Sequence, residues 1–207
     1  MTLTLFYRPG TCSLAPHILL TLVDLPHEAT HPPRGDAFKA INPAGAVPAM
    51  RLEDGYILTQ CGAILQYICQ RAERTDLLGG DDLRAQAEVA QWCSFFTGDF
   101  HPAFYPVFVP QRYMSDHSEA VLDGTKAAGL RLVRAGLDQL ETRLIGQDHL
   151  VSASRTIADY YAIPMLRWVG LVVETKLAEW PAVESFYQKI CTEASVVQTM
   201  EIHKITP

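Results

Sequence analysis

The chain has 207 residues, with 17 basic against 23 acidic side chains, a formal net charge of -6 and five cysteines. A chain of this length buries roughly 70% of its unfolded surface, enough for one large core or two modest domains without disulfide staples. The acidic balance, with no Lys/Arg cluster, supplies no positive field for nucleic acid or an anionic membrane, so neither is expected as a partner.

The opening residues have no basic segment ahead of their short apolar run, unlike a signal peptide. The stretch from Tyr160 to Val173 contains Pro164 and Arg167 and falls short of a bilayer span. An odd number of irregularly spaced cysteines argues against a secreted disulfide scaffold. The expectation is a soluble, cytoplasmic protein.

Leu3 to Tyr7 reads as a short strand ended by Arg8-Pro9-Gly10. Ser13 to Asp24 reads as a helix whose apolar stripe is Leu14, Ile18, Leu22 and Leu25, with Pro16 tolerated in the first turn. Glu28 to His31 is a candidate second strand and Asp36 to Ile41 a short helix. Ala46 to Leu52 and Tyr56 to Leu58 form a strand pair joined by Glu53-Asp54-Gly55. Gln60 to Arg74 returns to helical spacing. Beyond a polar connector, Thr75 to Asp82, nothing reads as a strand. Leu83 to Thr97, Thr125 to Ile145, Thr156 to Val173 and Pro181 to Glu193 are helical patterns. The fold class is therefore α/β followed by all-α, with domains expected at 1–78 and 84–207.

His27-Glu28-Ala29-Thr30-His31 matches the zinc-protease string H-E-x-x-H. That chemistry needs both histidines on one face of a helix, yet Pro26 precedes the string and Pro32-Pro33 follow it. In an extended segment the two rings stand about 13 Å apart, too far to share an ion. The reading is an edge strand, and no metal is expected.

Four segments carry a family resemblance. Tyr7-Arg8-Pro9-Gly10-Thr11-Cys12-Ser13-Leu14-Ala15-Pro16-His17 resembles the opening of bacterial glutathione S-transferases of the beta class. Asn42-Pro43-Ala44-Gly45-Ala46-Val47-Pro48-Ala49 resembles their second signature, whose Val-Pro bond is cis. Leu58-Thr59-Gln60-Cys61-Gly62-Ala63-Ile64-Leu65-Gln66-Tyr67-Ile68 is similar to the start of their third helix, and Thr156-Ile157-Ala158-Asp159 to their buried capping box. The resemblance implies a thioredoxin-like domain followed by a helical domain, a cytoplasmic homodimer, glutathione as co-substrate, and a role in detoxification.

Glutathione presents two carboxylates, an ammonium and a thiol along an extended tripeptide. Binding it calls for main-chain pairing, anion donors at one end and something that favours its thiolate. The resemblance assigns Val47 and Pro48 to the peptide, and Gln60 and Cys61 to the glutamyl end. The free N–H groups of a helix start there suit a carboxylate. The family has Ser or Gly where this chain has Cys61, and a thiol is the weaker donor; the bland alternative is a small buried filler.

Cys12 is the candidate reacting residue because it precedes a helix N-terminus, where a thiolate is favoured. No second cysteine follows at C-x-x-C spacing, so an internal dithiol cycle is not expected to be available. Ser13 either donates to the same sulfur or caps the helix, and Tyr7 packs at a strand end. The resemblance points His101 into the site and lets Asp99 reach glutathione from the neighbouring subunit, although Pro102 stands where the family often has Lys. Phe104, Tyr105 and Phe108, in a proline-interrupted aromatic segment, either line the second-substrate pocket or fill core.

The leading reading is conjugation of glutathione thiolate to a small hydrophobic electrophile. The alternatives are glutathione-dependent disulfide or dehalogenation chemistry through Cys12, and a non-catalytic relative that binds a partner or another ligand.

Overall fold

The structure is a computed structural model that describes residues 2–151 and 153–207. Four strands, β1 (Leu3–Phe6), β2 (His27–Thr30), β3 (Ala49–Arg51) and β4 (Ile57–Thr59), form one sheet in the order β2-β1-β3-β4. β1 and β2 run parallel, whereas β3 is antiparallel to both β1 and β4. The period-2 alternation of β1 decides which core each residue joins. Leu5 and its partner Met50 face the main core, while Phe6 and its partner Ala49 pack with Phe38 in a smaller cluster on the other face.

Three helices flank the sheet: α1 (Leu14–Leu22), α2 (Asp36–Lys39) and α3 (Cys61–Arg71). Every residue of α1 from Leu14 to Leu20 is buried, His17 included, so the helix is wrapped on all sides. The single stripe expected from spacing understated this because α1 is wedged between α3 and the helices α7 (Ile157–Val172) and α9 (Ala194–His203). The H-E-x-x-H segment lies in β2 and the residue after it, as extended chain.

The second part is helical, with α4 (Leu83–Phe95), α5 (His101–Phe108), α6 (Glu119–Leu144), α7, α8 (Pro181–Ile190) and α9. Asp82 starts α4 by accepting from the N–H groups of Arg84 and Ala85. Two boundaries differ from expectation. α6 begins before Thr125, and α9 was not anticipated at all. The proline-rich aromatic segment is not one smooth helix: the helical path runs from α4 through a wide turn into α5, and breaks at Val109 before a short 3-10 turn at Pro110–Arg112. A wide, π-type turn at Phe96–Phe100 absorbs the misfit and Pro102 falls in the first turn of α5, where its missing N–H costs nothing.

Thr156 caps α7 as expected. Its N–H donates to Asp159 Oδ2 at 2.7 Å, completing a capping box, and the N–H of Leu150 donates to Asp159 Oδ1 at 2.9 Å. Burial raises the Asp159 carboxyl, opposed by those hydrogen bonds and by Arg155. Among the described residues no helix is long and apolar enough to cross a membrane.

Candidate functional site

A pocket of about 180 Å³ lies where β1, the loop before β3, the start of α3 and the helices α5 and α7 converge. Its wall includes Cys12, Val47, Pro48, Gln60, Cys61, His101 and Tyr105. Seven of the residues singled out from sequence thus meet in one place, although they span the whole first part and the start of α5.

The loop that delivers Val47 is held from within. Asn42 is buried, its side-chain amide donates to the Ala46 carbonyl at 2.7 Å, and its oxygen accepts from the Ala44 N–H. The Val47–Pro48 peptide is cis. The Val47 carbonyl accepts from the Cys12 thiol at 3.4 Å, so this backbone oxygen faces the pocket and its sulfur.

Gln60, the residue before α3, sits at φ 71°, a left-handed conformation that costs a side-chain-bearing residue about 1–3 kcal/mol. Strain of that kind persists only where the surroundings enforce it. Here it turns the chain sharply into α3, leaving the first N–H groups of the helix free at the pocket wall as donors for an anion. The Gln60 side chain is exposed and makes no cap of its own.

The sulfur chemistry departs from expectation. Cys12 is only 7% exposed, and burial pushes its thiol up to about 12, with the nearby backbone amides opposing but not winning. In the free protein it is a neutral thiol, because desolvation outweighs the helix start. Cys61 is buried as well and its thiol donates to the Cys12 carbonyl at 3.6 Å. Its pKa is raised well above the ordinary value, first by burial and then by Cys12 and Cys93, with Tyr161 opposing.

Ser13 is corrected to a structural role. Its N-cap backbone is helical instead of extended, so the hydroxyl does not cap α1. It turns back to the Arg8 N–H at 3.1 Å and the Thr11 hydroxyl at 2.7 Å, fully buried and outside the pocket wall. Phe104 is likewise corrected: it is fully buried against Phe100 and Trp168 and belongs to the core. Phe108 is half-exposed, stacked on Phe104 and outside this pocket. Only Tyr105 of the three reaches the wall, with the Arg112 guanidinium over its ring at 5.6 Å.

His101 packs between the rings of Tyr105 and Trp168, at 5.0 and 4.9 Å. Burial lowers its pKa to about 4, so a neutral imidazole faces the pocket. Asp99, in the wide turn, is exposed and does not line it.

A larger cleft of about 800 Å³ runs between α3 and α4 and shares Gln60 and Thr97 with the pocket. Apart from Cys93, its wall contains no ionisable side chain.

The chain matches the family models for the glutathione S-transferase N-terminal domain over residues 15–76 and the C-terminal domain over residues 100–194. It is 32% identical to glutathione S-transferase GST-4.5 of Xanthomonas campestris pv. campestris, an alignment covering 95% of this chain and 97% of that protein. The chain belongs to the glutathione S-transferase family. A sphingomonad glutathione S-transferase solved with glutathione superposes with a TM-score of 0.86 at 31% identity, covering 98% of this chain and all of that one. The beta-class enzyme of Sphingomonas chungbukensis gives 0.86 at 29% identity, with the same coverage. The transferase is thus of the bacterial, beta-like kind, with the mixed sheet and helical second part of that fold.

Sequence reasoning missed several residues in or around this pocket. Tyr161, on α7, lines the pocket floor with its hydroxyl 3.2 Å from that of Thr97. Trp168 donates its indole N–H to the Gly10 carbonyl at 2.7 Å, tying α7 to the turn that precedes Cys12. Both lie in an apolar helical run whose spacing gives no sign of which face meets the other part. Asn42 carried a local signal, since Asn-Pro marks a turn.

Proposed function

We propose that this transferase binds glutathione in the 180 Å³ pocket and activates its thiolate toward a small hydrophobic electrophile. The observation that carries the reading is the convergence of the outward Val47 backbone, the strained Gln60 turn and the Cys12 thiol on one wall. The peptide of the cysteinyl unit pairs with Val47. The glutamyl carboxylate takes the free N–H groups of α3, with the Gln60 side chain accepting from the ammonium.

The neutral Cys12 thiol has a specific use here. It now donates to a carbonyl, and an arriving thiolate is the stronger acceptor, so transfer of that hydrogen bond favours ionised glutathione. His101, uncharged at neutral pH, adds a polar edge without a competing charge. The glutathione sulfur then donates its lone pair to the electrophilic carbon. The electrophile approaches along the Tyr105 side, which supplies the aromatic wall.

The same reading includes domains at 1–78 and 84–207, a cytoplasmic homodimer and a role in detoxification. All five cysteines are free, which suits a reducing compartment. The uncharged 800 Å³ cleft between α3 and α4 is the natural dimer face, from which Asp99 would reach the partner's pocket.

Calorimetric titration with reduced glutathione at neutral pH tests the reading. A dissociation constant between micromolar and low millimolar is expected, and no heat at two temperatures would overturn it. In Cys61→Ser the hydroxyl is the better donor, and affinity is expected to rise by about ten- to a hundredfold, the worth of one hydrogen bond to a charged group. Cys12→Ser keeps a donor at the sulfur and should largely preserve conjugation. Loss of all turnover in that variant would favour covalent chemistry at Cys12.

A further inference from the structure

Two cysteines line the pocket, although they lie 49 positions apart in the chain. The sequence offers no C-x-x-C pair, and the fold supplies a second cysteine by another route. β1 leads to Cys12 and β4 leads to Cys61. β1 and β4 both run antiparallel to the β3 strand between them, so their C-terminal ends lie at the same end of the sheet, where both cysteines line the cavity. The Cys61 sulfur stands 3.6 Å from the Cys12 carbonyl oxygen, and both thiols are free. Of the other cysteines, Cys69, Cys93 and Cys191 do not line this pocket. A thiol at position 61 is also the poorer choice for holding an anion.

We propose that Cys12 and Cys61 form a dithiol–disulfide couple in the glutathione pocket, oxidised by glutathione disulfide, with Cys12 the attacking and Cys61 the resolving thiol. The proposal rests on the reading of this pocket as the glutathione site. In the first exchange the Cys12 thiolate attacks one sulfur of glutathione disulfide. The S–S bond of the oxidant breaks, one glutathione departs as thiolate and takes up the proton that Cys12 released, and Cys12 carries a glutathionyl group. In the second, the Cys61 thiolate attacks the Cys12 sulfur. The mixed disulfide breaks, and the second glutathione leaves and takes up the proton from Cys61. Two protein thiols have been oxidised and one glutathione disulfide reduced to two glutathiones.

Burial gives the couple its character. Both thiols are raised in pKa, so little thiolate is present at neutral pH and oxidation is slow, accelerating as the pH rises. The same property makes each sulfur a poor leaving group, so a disulfide once formed resists reduction by glutathione. Oxidation removes the Cys12 S–H donor from the pocket, and conjugation stops while the disulfide lasts.

The test treats the reduced protein with glutathione disulfide and, in parallel, with bis(2-hydroxyethyl) disulfide, which needs no glutathione-binding groups. Acid quenching is followed by intact mass measurement and peptide mapping. The wild type should lose two hydrogens, with the Cys12 and Cys61 peptides linked, and conjugating activity should fall in step and return with dithiothreitol. Cys61→Ser and Cys61→Ala should both stop at one glutathionyl group on Cys12. A wild type that keeps its glutathionyl group as stably as those variants, or that links Cys61 to Cys93 instead, would overturn the couple. If glutathione is not the ligand, the hydroxyethyl disulfide still drives the loss of two hydrogens while glutathione shows no calorimetric heat. If the couple alone is wrong, glutathione binds but neither disulfide links the two cysteines.

Discussion

The start of α7 and the wall of the pocket are both polar and buried, and they are built on opposite terms. At α7 the Asp159 carboxylate accepts from the N–H groups of Leu150 and Thr156 and from the Thr156 hydroxyl, with an Arg155 nitrogen at 3.9 Å. In the pocket, Cys12 and Cys61 donate weak S–H hydrogen bonds to carbonyl oxygens at 3.4 and 3.6 Å, with Tyr161 also beside Cys61, and His101 is flanked by aromatic rings. Saturated partners fix a backbone in place; unsaturated ones leave hydrogen-bonding capacity for a ligand.

The largest effect should come from breaking the saturated cluster. Asp159→Ala leaves two buried amides without an acceptor, and unfolding free energy is expected to fall by about 3–5 kcal/mol. Urea denaturation measures it. A loss below about 1 kcal/mol would mean that water replaces the carboxylate and that the cluster is not closed.

A second test concerns buried groups that hold no charge. His17 on α1 and His203 on α9 are joined Nδ1 to Nε2 at 2.9 Å, beside Tyr7, His27 and His31. Burial lowers His17 to about 4 and His203 to about 3, with neighbouring histidines adding to the shift. Their folded pKa values lie below the unfolded value of about 6.5, so the unfolded chain gains protons first as pH drops. Stability is therefore full above that pH and declines as pH falls toward 4. About 2 kcal/mol per histidine, and up to about 4 kcal/mol for the pair, should be lost between pH 7 and 5. Replacing His203 by Phe should flatten this profile in urea midpoints taken across the range. An unchanged slope would place the linkage on other groups.

These contrasts also mark what a sequence makes legible. The sheet and the long helices followed from period and turn chemistry, and the four resembling segments located most of the pocket wall. α9 escaped because its buried positions are Ser195, Val196, Thr199, Met200 and His203, a helical spacing in which three of five side chains are polar. The segment around Pro102 and Pro106 read as broken because a wide turn that rescues a proline leaves no sequence mark. Ser13 was misplaced for a related reason, since whether a hydroxyl caps a helix depends on its own backbone angles. The state of Cys12 was unreadable too, because local position argued for a thiolate and the tertiary burial that decides otherwise comes from loops and helices far away in sequence.

The smallest expected change bears on the pocket's own cost. Gln60 holds a left-handed backbone with a side chain that makes no cap, so Gln60→Gly relieves the conformation that glycine adopts freely. Stability is expected to rise by up to about 1 kcal/mol, less the entropy that glycine adds to the unfolded chain. Glutathione affinity should fall, because the side-chain acceptor for the ammonium is gone while the α3 amides remain. Opposite signs in the two measurements would mean that the strain at Gln60 is maintained for the ligand and not for the fold. If both fell together, the side chain would be supporting the turn itself, and the pocket would resemble the α7 cap more than the contrast allows.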